Sequence, residues 1–182
     1  MIIFINGAFG AGKTTVAELL VQRIPDSLLY DPEVVGMGLR YIVQPIVQFD
    51  DFQDLPPWRP LVVETARQLL KTYGRTLIVP MTLWNKAYFL EIMDGLRTFE
   101  PQLFHFCLAA TGSTLRKRLQ ERTSSPQAYA WACERIERCV TAFEDDMFAV
   151  QLPTDDRTPE ELVAGILSRV SINSTVEQLG AS

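Results

Sequence analysis

Apolar residues recur in two patterns that alternate along the whole chain. Short continuous apolar runs are typical of strands buried on both faces of a sheet. Between them, apolar residues return every three or four positions, as in amphipathic helices. This alternation predicts an α/β fold, a three-layer arrangement with helices on both faces of a five-stranded parallel sheet. The predicted strands are Ile2–Asn6, Ser27–Tyr30, Thr76–Val79, Leu103–Leu108 and Ala149–Leu152.

The alternation continues to about residue 170 without a linker or an internal repeat. We therefore predict a single domain over residues 1–170. Its last helix should begin at the capping box Thr158-Pro159-Glu160-Glu161, which has proline at the first helical position. Residues 171–182 are predicted to form a polar C-terminal tail.

Two segments interrupt the alternation. Residues 31–60 are rich in apolar side chains, but Gly36, Gly38 and Pro45 are expected to break any regular element there. Ligands of open α/β sheets bind beyond the carboxyl ends of strands, so we predict that this insert binds an acceptor and is mobile without it. Residues 111–127 are rich in arginine and are placed to fold over a nucleotide as a lid.

The most specific motif lies directly after the first predicted strand. Residues 7–14 read Gly-Ala-Phe-Gly-Ala-Gly-Lys-Thr and fit the phosphate-binding loop pattern G-x-x-x-x-G-K-[ST]. Its glycines let backbone N–H groups converge on phosphates, and the next helix adds the positive end of its dipole. Lys13 is predicted to contact the β- and γ-phosphates of ATP, and the Thr14 hydroxyl to ligate Mg²⁺. The predicted nucleotide-binding residues are Gly7, Ala8, Phe9, Gly10, Ala11, Gly12, Lys13, Thr14, Thr15 and, from the lid, Arg118.

Candidate chemistry flanks this loop. Asp31 follows the second predicted strand, and it is either a general base for an acceptor hydroxyl or the cap of a helix that begins at Pro32. Arg118 and Arg122 are four residues apart, so they share one face of a predicted helix. Arginines in that position are suited to offset the charge on a phosphoryl group in transfer.

The insert carries its own candidates for acceptor binding. Arg40 and Arg59 could clamp a phosphate or carboxylate, with solvated surface arginine as the alternative. Asp51, beside Asp50, could hold a sugar hydroxyl, although a polar loop would look the same. Trp58 could stack on a ring of the acceptor, and packing of the insert on the sheet edge is the alternative.

Composition and charge narrow the classes of partner. The formal net charge is −5 and no long basic run occurs, so a nucleic-acid partner is not expected. The three cysteines are an odd number and are predicted to be reduced core thiols of a cytoplasmic protein. No apolar stretch is long enough to span a membrane, while peripheral contact with lipid and the oligomeric state stay open.

A wider set of short motifs resembles one protein family over nearly the whole chain. Their joint order and spacing resemble bacterial tunicamycin-resistance proteins, within the nucleoside-monophosphate-kinase-like group. The matching segments are Ile5–Gly10, Tyr30–Glu33, Asp50–Gln53, Trp58-Arg59, Leu77–Thr82, Arg118-Leu119 with Arg122, and Arg138–Val140. The resemblance implies an ATP-binding protein that protects against tunicamycin, a lipid-tailed uridine-sugar antibiotic. It also adds Arg138 to the catalytic candidates Lys13, Asp31 and Arg122.

Three functions remain open from the sequence. The protein is a kinase that transfers the ATP γ-phosphoryl group to a hydroxyl of tunicamycin or a related nucleoside-sugar, or it binds the antibiotic without modifying it, or it phosphorylates another small metabolite. The third strand ends in Val79-Pro80-Met81-Thr82, without the acidic residue that P-loop hydrolases place there and without the Gly-Gly-Gly turn of shikimate kinases. Metal coordination is therefore expected from Thr14, Asp31 and water, and shikimate is not the expected acceptor.

Overall fold

The five predicted strands form one sheet. The structure, a computed structural model, describes residues 1–122, 125–148 and 150–180, with side chains up to residue 171. All pairings between neighbouring strands are parallel, and the strand order is β2-β3-β1-β4-β5. The predicted α/β fold is confirmed, although the predicted start of the last strand at Ala149 lies outside the described residues. The strands are β1 (Ile2–Gly7), β2 (Ser27–Leu29), β3 (Thr76–Pro80), β4 (Leu103–Ala109) and β5 (Gln151–Pro153).

Helices connect the strands and cover the sheet. The central strand β1 pairs with β3 on one side and β4 on the other, and its residues Ile2–Ile5 are completely buried. Burial on both faces explains why the sequence of β1 is continuously apolar rather than alternating. The helices are α1 (Lys13–Arg23), α2 (Pro32–Val43), α3 (Trp58–Tyr73), α4 (Lys86–Arg97), α5 (Gly112–Arg122), α6 (Pro126–Phe143) and α7 (Pro159–Gly180).

The last helix begins at the predicted capping box, and it extends further toward the C-terminus than predicted. The Thr158 hydroxyl accepts a hydrogen bond from the Glu161 N–H at 3.2 Å, and the Glu161 carboxylate accepts one from the Thr158 N–H at 2.8 Å. This reciprocal pair is the predicted capping box. Helix α7 continues to Gly180, so the segment predicted as a polar tail is helical over most of its length.

The prediction that residues 31–60 lack a regular element is wrong. Helix α2 occupies twelve of these residues, and a short 3-10 turn follows at Phe52–Asp54. Gly36 does not interrupt α2, because it lies where the helix crosses the Phe52 ring: a Cβ on Gly36 would come 2.2 Å from Phe52 Cδ2. The glycine is needed for close packing between two elements, and that packing outweighs its low helix propensity.

Alanine substitutions at the two glycines of α2 should have opposite effects on stability. Gly36→Ala places a methyl group inside the Phe52 ring and should lower the free energy of unfolding by about 1–3 kcal/mol through overpacking. Gly38 has open space around its Cα, so Gly38→Ala should raise stability by about 0.5–1 kcal/mol through helix propensity alone. Urea unfolding of both variants tests this, and equal effects would contradict the packing described for Gly36.

The outer face of α2 and the segment after it expose large apolar side chains. The exposed residues of this apolar face are Val34, Met37, Tyr41, Ile42, Ile46 and Val47. Exposed apolar patches of this kind commonly mark a surface that binds a ligand or partner. Among the residues described by the structure, no helix combines the length and apolar character needed to cross a membrane.

Candidate active site

The phosphate-binding loop lies at the carboxyl end of the central strand, between β1 and α1. Gly7 and Gly10 have φ angles of 147° and 84°, which side chains rarely adopt. A Cβ on Gly7 would come 2.8 Å from the Leu108 carbonyl oxygen. Helix α1 begins at Lys13 after Gly12, which has no side chain to cap the helix. The N–H groups of its first turn are therefore available to an anion.

Asn6, which the sequence analysis missed, anchors this loop through hydrogen bonds of its side chain. Its side chain is completely buried. The amide oxygen accepts hydrogen bonds from the backbone N–H groups of Gly7 and Leu83, both at 2.9 Å, and the amide nitrogen donates to the Leu83 carbonyl at 2.9 Å. These bonds join the end of β1 to the chain that follows β3. A buried polar residue at a strand end was the available signal.

Lys13 is a half-buried cation, and among the described residues no carboxylate forms an ion pair with it. Its ammonium donates a hydrogen bond to the Ala8 carbonyl at 3.0 Å and lies 5.8 Å from the centre of the Phe9 ring. Burial lowers the pKa of Lys13 from 10.5 to about 8, and the field of Glu33 opposes this shift only in part. Burial and the nearby Asp31 in turn raise the pKa of the Glu33 carboxyl, although its side chain reaches the open cleft. A phosphate would supply the missing counter-charge of Lys13.

Nucleotide binding should therefore take up protons near pH 8. Free Lys13, with a pKa of about 8, is then only partly protonated, and phosphate oxygens stabilise its charged form. We expect uptake of about half a proton per nucleotide at pH 8 and much less at pH 6.5, where the free lysine already holds its proton. Calorimetry in two buffers with different ionisation enthalpies measures this. Lys13→Arg is the control, because guanidinium does not titrate, and equal uptake in both proteins would exclude Lys13 as the source.

Asp31 caps a helix, and it also borders a cavity at the phosphate-binding loop, where its role as a general base stays a prediction. Its carboxylate caps α2 by accepting a hydrogen bond from the Glu33 N–H at 2.9 Å. It also lines a cavity of about 150 Å³ over the loop, which we call the phosphate pocket. The phosphate pocket is lined by Phe9, Gly10, Gly12, Lys13, Thr14, Asp31, Glu33, Pro80, Thr82, Leu119 and Arg122.

The predicted lid lies directly on the loop. A Cβ on Gly10 would come 3.0 Å from the Leu115 carbonyl oxygen and 3.2 Å from Leu119 Cγ, so α5 packs closely on the loop backbone. Arg122 lines the phosphate pocket, as its predicted role requires. Of the predicted lid, residues 112–122 are α5 and residues 126–127 begin α6, while residues 123–124 lie outside the described chain.

A second cavity of about 440 Å³ adjoins the loop on its other side, and we call it the nucleoside pocket. Arg122 lines both cavities, whereas Arg118 lines only this one. Arg118 donates to the Thr154 hydroxyl at 2.9 Å and to the Thr154 carbonyl at 2.7 Å. The sequence analysis missed Thr154 and Arg157, which line this pocket after β5. The rule that ligands bind beyond strand ends would have selected them.

A third cavity of about 190 Å³ contains the predicted Asp51, and we call it the acidic pocket. Burial raises the pKa of the Asp51 carboxyl. Arg138 lines this pocket rather than the phosphate pocket, so its position fits acceptor contact better than the catalytic role assigned from the family resemblance. The acidic pocket is lined by Asp50, Asp51, Gln53, Asp54, Trp84, Asn85, Tyr88, Arg135 and Arg138.

Arg135 is the more deeply buried of the two arginines that line the acidic pocket. Its side chain is 12% exposed, against 59% for Arg138. The Arg135 guanidinium stacks 3.9 Å from the centre of the Trp131 ring and donates to the Trp131 carbonyl at 3.2 Å. Both guanidinium groups approach the Glu134 carboxylate loosely, at 3.8 Å for Arg135 and 3.9 Å for Arg138. The family resemblance points to Arg138, whereas the packing of α6 buries Arg135 more deeply.

The phosphate pocket and the acidic pocket share a wall. The Gln53 side chain of the acidic pocket donates to the carbonyl of Thr82, which lines the phosphate pocket, at 3.0 Å. Trp131 contacts a residue of each pocket. It contacts Phe9 of the loop edge-to-face at 5.1 Å on one side and Arg135 on the other. A molecule in the acidic pocket would therefore lie next to phosphates bound at the loop.

The structure contradicts acceptor stacking by Trp58, and it leaves Arg40 outside both pockets. Trp58 is completely buried, donates its indole N–H to the Pro32 carbonyl at 3.1 Å, and packs edge-to-face on Phe52 at 5.4 Å. It holds α2 on α3 and has no surface for a ligand. Arg40 is exposed and lies 5.7 Å from the Phe49 ring centre. It lines neither the phosphate pocket nor the acidic pocket.

Arg59 supports the acidic pocket without lining it. It pairs with Glu91 at 2.6 Å, donates to the Gln53 carbonyl at 2.9 Å, and stacks 4.2 Å from the centre of the Tyr88 ring. Gln53 and Tyr88 both line the pocket. The guanidinium of Arg59 is engaged within the protein, and its role as a clamp on an acceptor stays a prediction.

The donor set fits a metal that arrives with a nucleotide. Within the described residues, no group of three or more His, Cys, Asp or Glu side chains is arranged to hold a metal ion. Thr14 and Asp31, both on the phosphate pocket, offer hard oxygen atoms of the kind that Mg²⁺ prefers. Such a sparse set suits an ion that is held mainly by phosphates and water.

Comparison with known proteins assigns the family. The profile of the family described as an AAA domain matches residues 2–144. The chain belongs to this AAA-domain family. No curated protein matches the sequence of this AAA-domain protein. Among solved structures, the tunicamycin resistance protein of Deinococcus radiodurans is 26% identical, with a TM-score of 0.77 and coverage of 93% of this chain and 95% of that one.

Kinases of small molecules share the fold of this AAA-domain protein at lower identity. A gluconokinase from Sinorhizobium meliloti 1021 is 19% identical, with a TM-score of 0.67 and coverage of 99% and 97% of the two chains. A shikimate kinase from Acinetobacter baumannii is 14% identical, with a TM-score of 0.60 and coverage of 94% and 93% of the two chains. The P-loop kinase-like fold is thus established, together with the resemblance to tunicamycin-resistance proteins, and this fold implies nucleotide binding.

Proposed function

We propose that this AAA-domain protein is a kinase that transfers the γ-phosphoryl group of Mg·ATP to a hydroxyl of tunicamycin or a related nucleoside-sugar. The observation that carries the proposal is the wall shared by the phosphate pocket and the acidic pocket. It brings a polar acceptor cavity beside the place where a γ-phosphate would lie. Phosphoryl transfer needs mainly this positioning together with electrostatic stabilisation.

Each part of the nucleotide has a matching surface. The loop N–H groups and Lys13 would hold the phosphates, and the nucleoside pocket beside Arg118 has room for the base and ribose. Arg122 borders both pockets and would offset charge on the transferring group. Asp31 would accept the proton of the attacking hydroxyl, with its capping bond to Glu33 fixing its position.

The acidic pocket favours a neutral, hydroxyl-rich acceptor. Its aspartates are good acceptors for sugar hydroxyls, and Arg135 and Arg138 can donate to oxygen atoms. Three aspartates around one small cavity would repel an acidic acceptor such as gluconate or shikimate. The pocket is large enough for a sugar ring and too small for a lipid chain as well.

The apolar face of α2 supports a lipid-tailed acceptor. Helix α2 begins beside the phosphate pocket at Asp31 and Glu33, so a molecule in the cleft could extend an aliphatic chain along that exposed face. The same face favours a second candidate function, in which the protein captures the antibiotic without modifying it. Helix α2 should then gain protection from hydrogen exchange when tunicamycin is added, whereas the loop should gain it with ATP alone.

Mass spectrometry of the antibiotic separates the two functions. Pure protein is incubated with Mg·ATP and tunicamycin, and a product heavier by one phosphoryl group means transfer. Binding without a change in mass means sequestration. Lys13→Ala is the control for nucleotide-dependent chemistry. With gluconate or shikimate as acceptor we expect no product, and rapid phosphorylation of either would exclude the proposed acceptor class.

Arg135→Ala should raise the acceptor KM more than Arg138→Ala does. The buried guanidinium of Arg135 is held in place by Trp131, whereas Arg138 is mostly solvated. We expect at least a tenfold increase for Arg135→Ala, about the value of one hydrogen bond to a charged group, and about twofold or less for Arg138→Ala. Steady-state kinetics with varied acceptor tests this, and the reverse order would restore Arg138 as the principal contact.

A further inference from the structure

Thr82 carries a buried polar atom that the protein leaves unused. The residue follows β3, is 1% exposed and lines the phosphate pocket beside Lys13, Thr14 and Asp31. Its carbonyl accepts a hydrogen bond from Gln53, but its hydroxyl oxygen has no hydrogen-bond partner among the described residues. A buried hydroxyl without a partner destabilises a folded protein and calls for an explanation.

The position of Thr82 suggests what the hydroxyl is for. The N–H of the preceding residue, Met81, still bonds to the Ile5 carbonyl at 3.0 Å, so Thr82 stands at the carboxyl end of the strand beside β1. P-loop hydrolases place an acidic residue at such a strand end, and this chain has Val79-Pro80-Met81-Thr82 instead. The nearby protein oxygens suited to a nucleotide-bound metal are few, as the described residues offer no cluster of metal ligands.

We propose that Thr82 is a positioning residue for the magnesium of the bound nucleotide, with its hydroxyl accepting a hydrogen bond from a water molecule of the metal's hydration shell. Mg²⁺ in nucleotide sites keeps several waters, and outer-shell hydrogen bonds orient them. A neutral hydroxyl can act here in place of a carboxylate, since it needs only to accept one hydrogen bond. The inference rests on the proposed binding of Mg·ATP.

Lys13, on the same pocket, is able to serve the phosphate while Thr82 serves the metal. A lysine ammonium has three N–H groups, and Lys13 donates one of them to the Ala8 carbonyl at 3.0 Å. The same ammonium can therefore donate to a phosphate oxygen as well, and the Thr82 hydroxyl is left for a water molecule of the metal.

Two substitutions at Thr82 test the inference by nucleotide binding. Thr82→Val keeps the shape and removes the hydroxyl, whereas Thr82→Ser keeps the hydroxyl. The probe is a non-hydrolysable ATP analogue, whose dissociation constant is measured with excess Mg²⁺ and again with EDTA. Thr82→Val should weaken binding about tenfold with Mg²⁺, the loss of roughly one hydrogen bond, and leave binding in EDTA unchanged. Thr82→Ser should stay within about twofold of the original protein in both conditions.

The unfolding temperature of the free protein provides the readout that separates this role from a structural one. Thr82→Val should match or exceed the original protein, because it removes an unpaired buried hydroxyl. A lower unfolding temperature together with equal losses in Mg²⁺ and EDTA would overturn the inference, as would wild-type affinity of Thr82→Val in Mg²⁺. If the unmodified protein binds no nucleotide in either condition, the proposed kinase function itself fails.

Discussion

Lys13→Ala should weaken ATP binding about tenfold to a hundredfold while the protein remains folded. Hydrogen bonds to charged groups are each worth about 1.5–3 kcal/mol, and Lys13 is the cation inside the loop that would meet the β- and γ-phosphates. Because this contact exists in both the ground state and the transition state, the KM for ATP should rise while turnover at saturating ATP changes little. Isothermal titration with Mg·ATP measures the loss. Lys71→Ala, at an exposed lysine on α3, is the matched control.

The same substitution should not lower the stability of the free protein at pH 7. Burial holds the pKa of folded Lys13 at about 8, below its ordinary 10.5. The charged lysine therefore opposes folding, fully below pH 8 and progressively less as pH rises toward 10.5. Removing it should raise the unfolding temperature at pH 7, and this gain should shrink above pH 8. A well-folded Lys13→Ala protein with undiminished ATP affinity would contradict the assignment of the phosphate-binding loop.

Asp31→Asn should lower turnover by about a hundredfold to ten-thousandfold, the usual contribution of a general base. Asparagine can still accept the hydrogen bond from the Glu33 N–H, so the cap of α2 and the unfolding temperature should be retained. ATP affinity should be nearly unchanged, because the base acts only in the chemical step. Single-turnover kinetics at saturating ATP isolates that step.

Asp31→Ala provides the complementary measurement. It removes both the base and the cap, so it should add a loss of about 1 kcal/mol in stability to the loss in turnover. If Asp31→Asn turns over at the normal rate and only Asp31→Ala is impaired, Asp31 is a helix cap and another residue takes the proton. Glu33, which faces Lys13 across the phosphate pocket and has a raised carboxyl pKa, would then be the next candidate.

The loop and the sheet could be predicted from sequence because their signals are local. A buried strand, the glycines of the turn and the following helix lie within about twenty consecutive residues. The structural roles of Trp58 and Arg59 could not be predicted from local signals. A tryptophan that stacks on a ligand and one that fills a core look alike in a sequence, and only the packing of α2 on α3 distinguishes them.

The sequence alone also cannot decide which of Arg135 and Arg138 is held in a fixed position. The two residues are three apart on α6 and carry the same charge. Contact with Trp131 decides which guanidinium is fixed, and Trp131 is itself oriented by Phe9 of the loop. The position of Asn6 at a strand end is visible in the sequence, but its partners and the surroundings of Thr82 depend on contacts between chain segments about eighty residues apart, which one sequence does not reveal.

The placement of the tryptophans gives the protein an intrinsic optical signal. Trp131 is 37% exposed and contacts Phe9 of the phosphate pocket and Arg135 of the acidic pocket, and Trp84 lines the latter. Trp58 is sealed in the core and supplies a constant background. Emission of the unlabelled protein can therefore follow nucleotide and acceptor as each one enters. Trp131→Phe should remove the part of the fluorescence change that reports on both pockets. The order in which nucleotide and acceptor bind can therefore be measured without a dye.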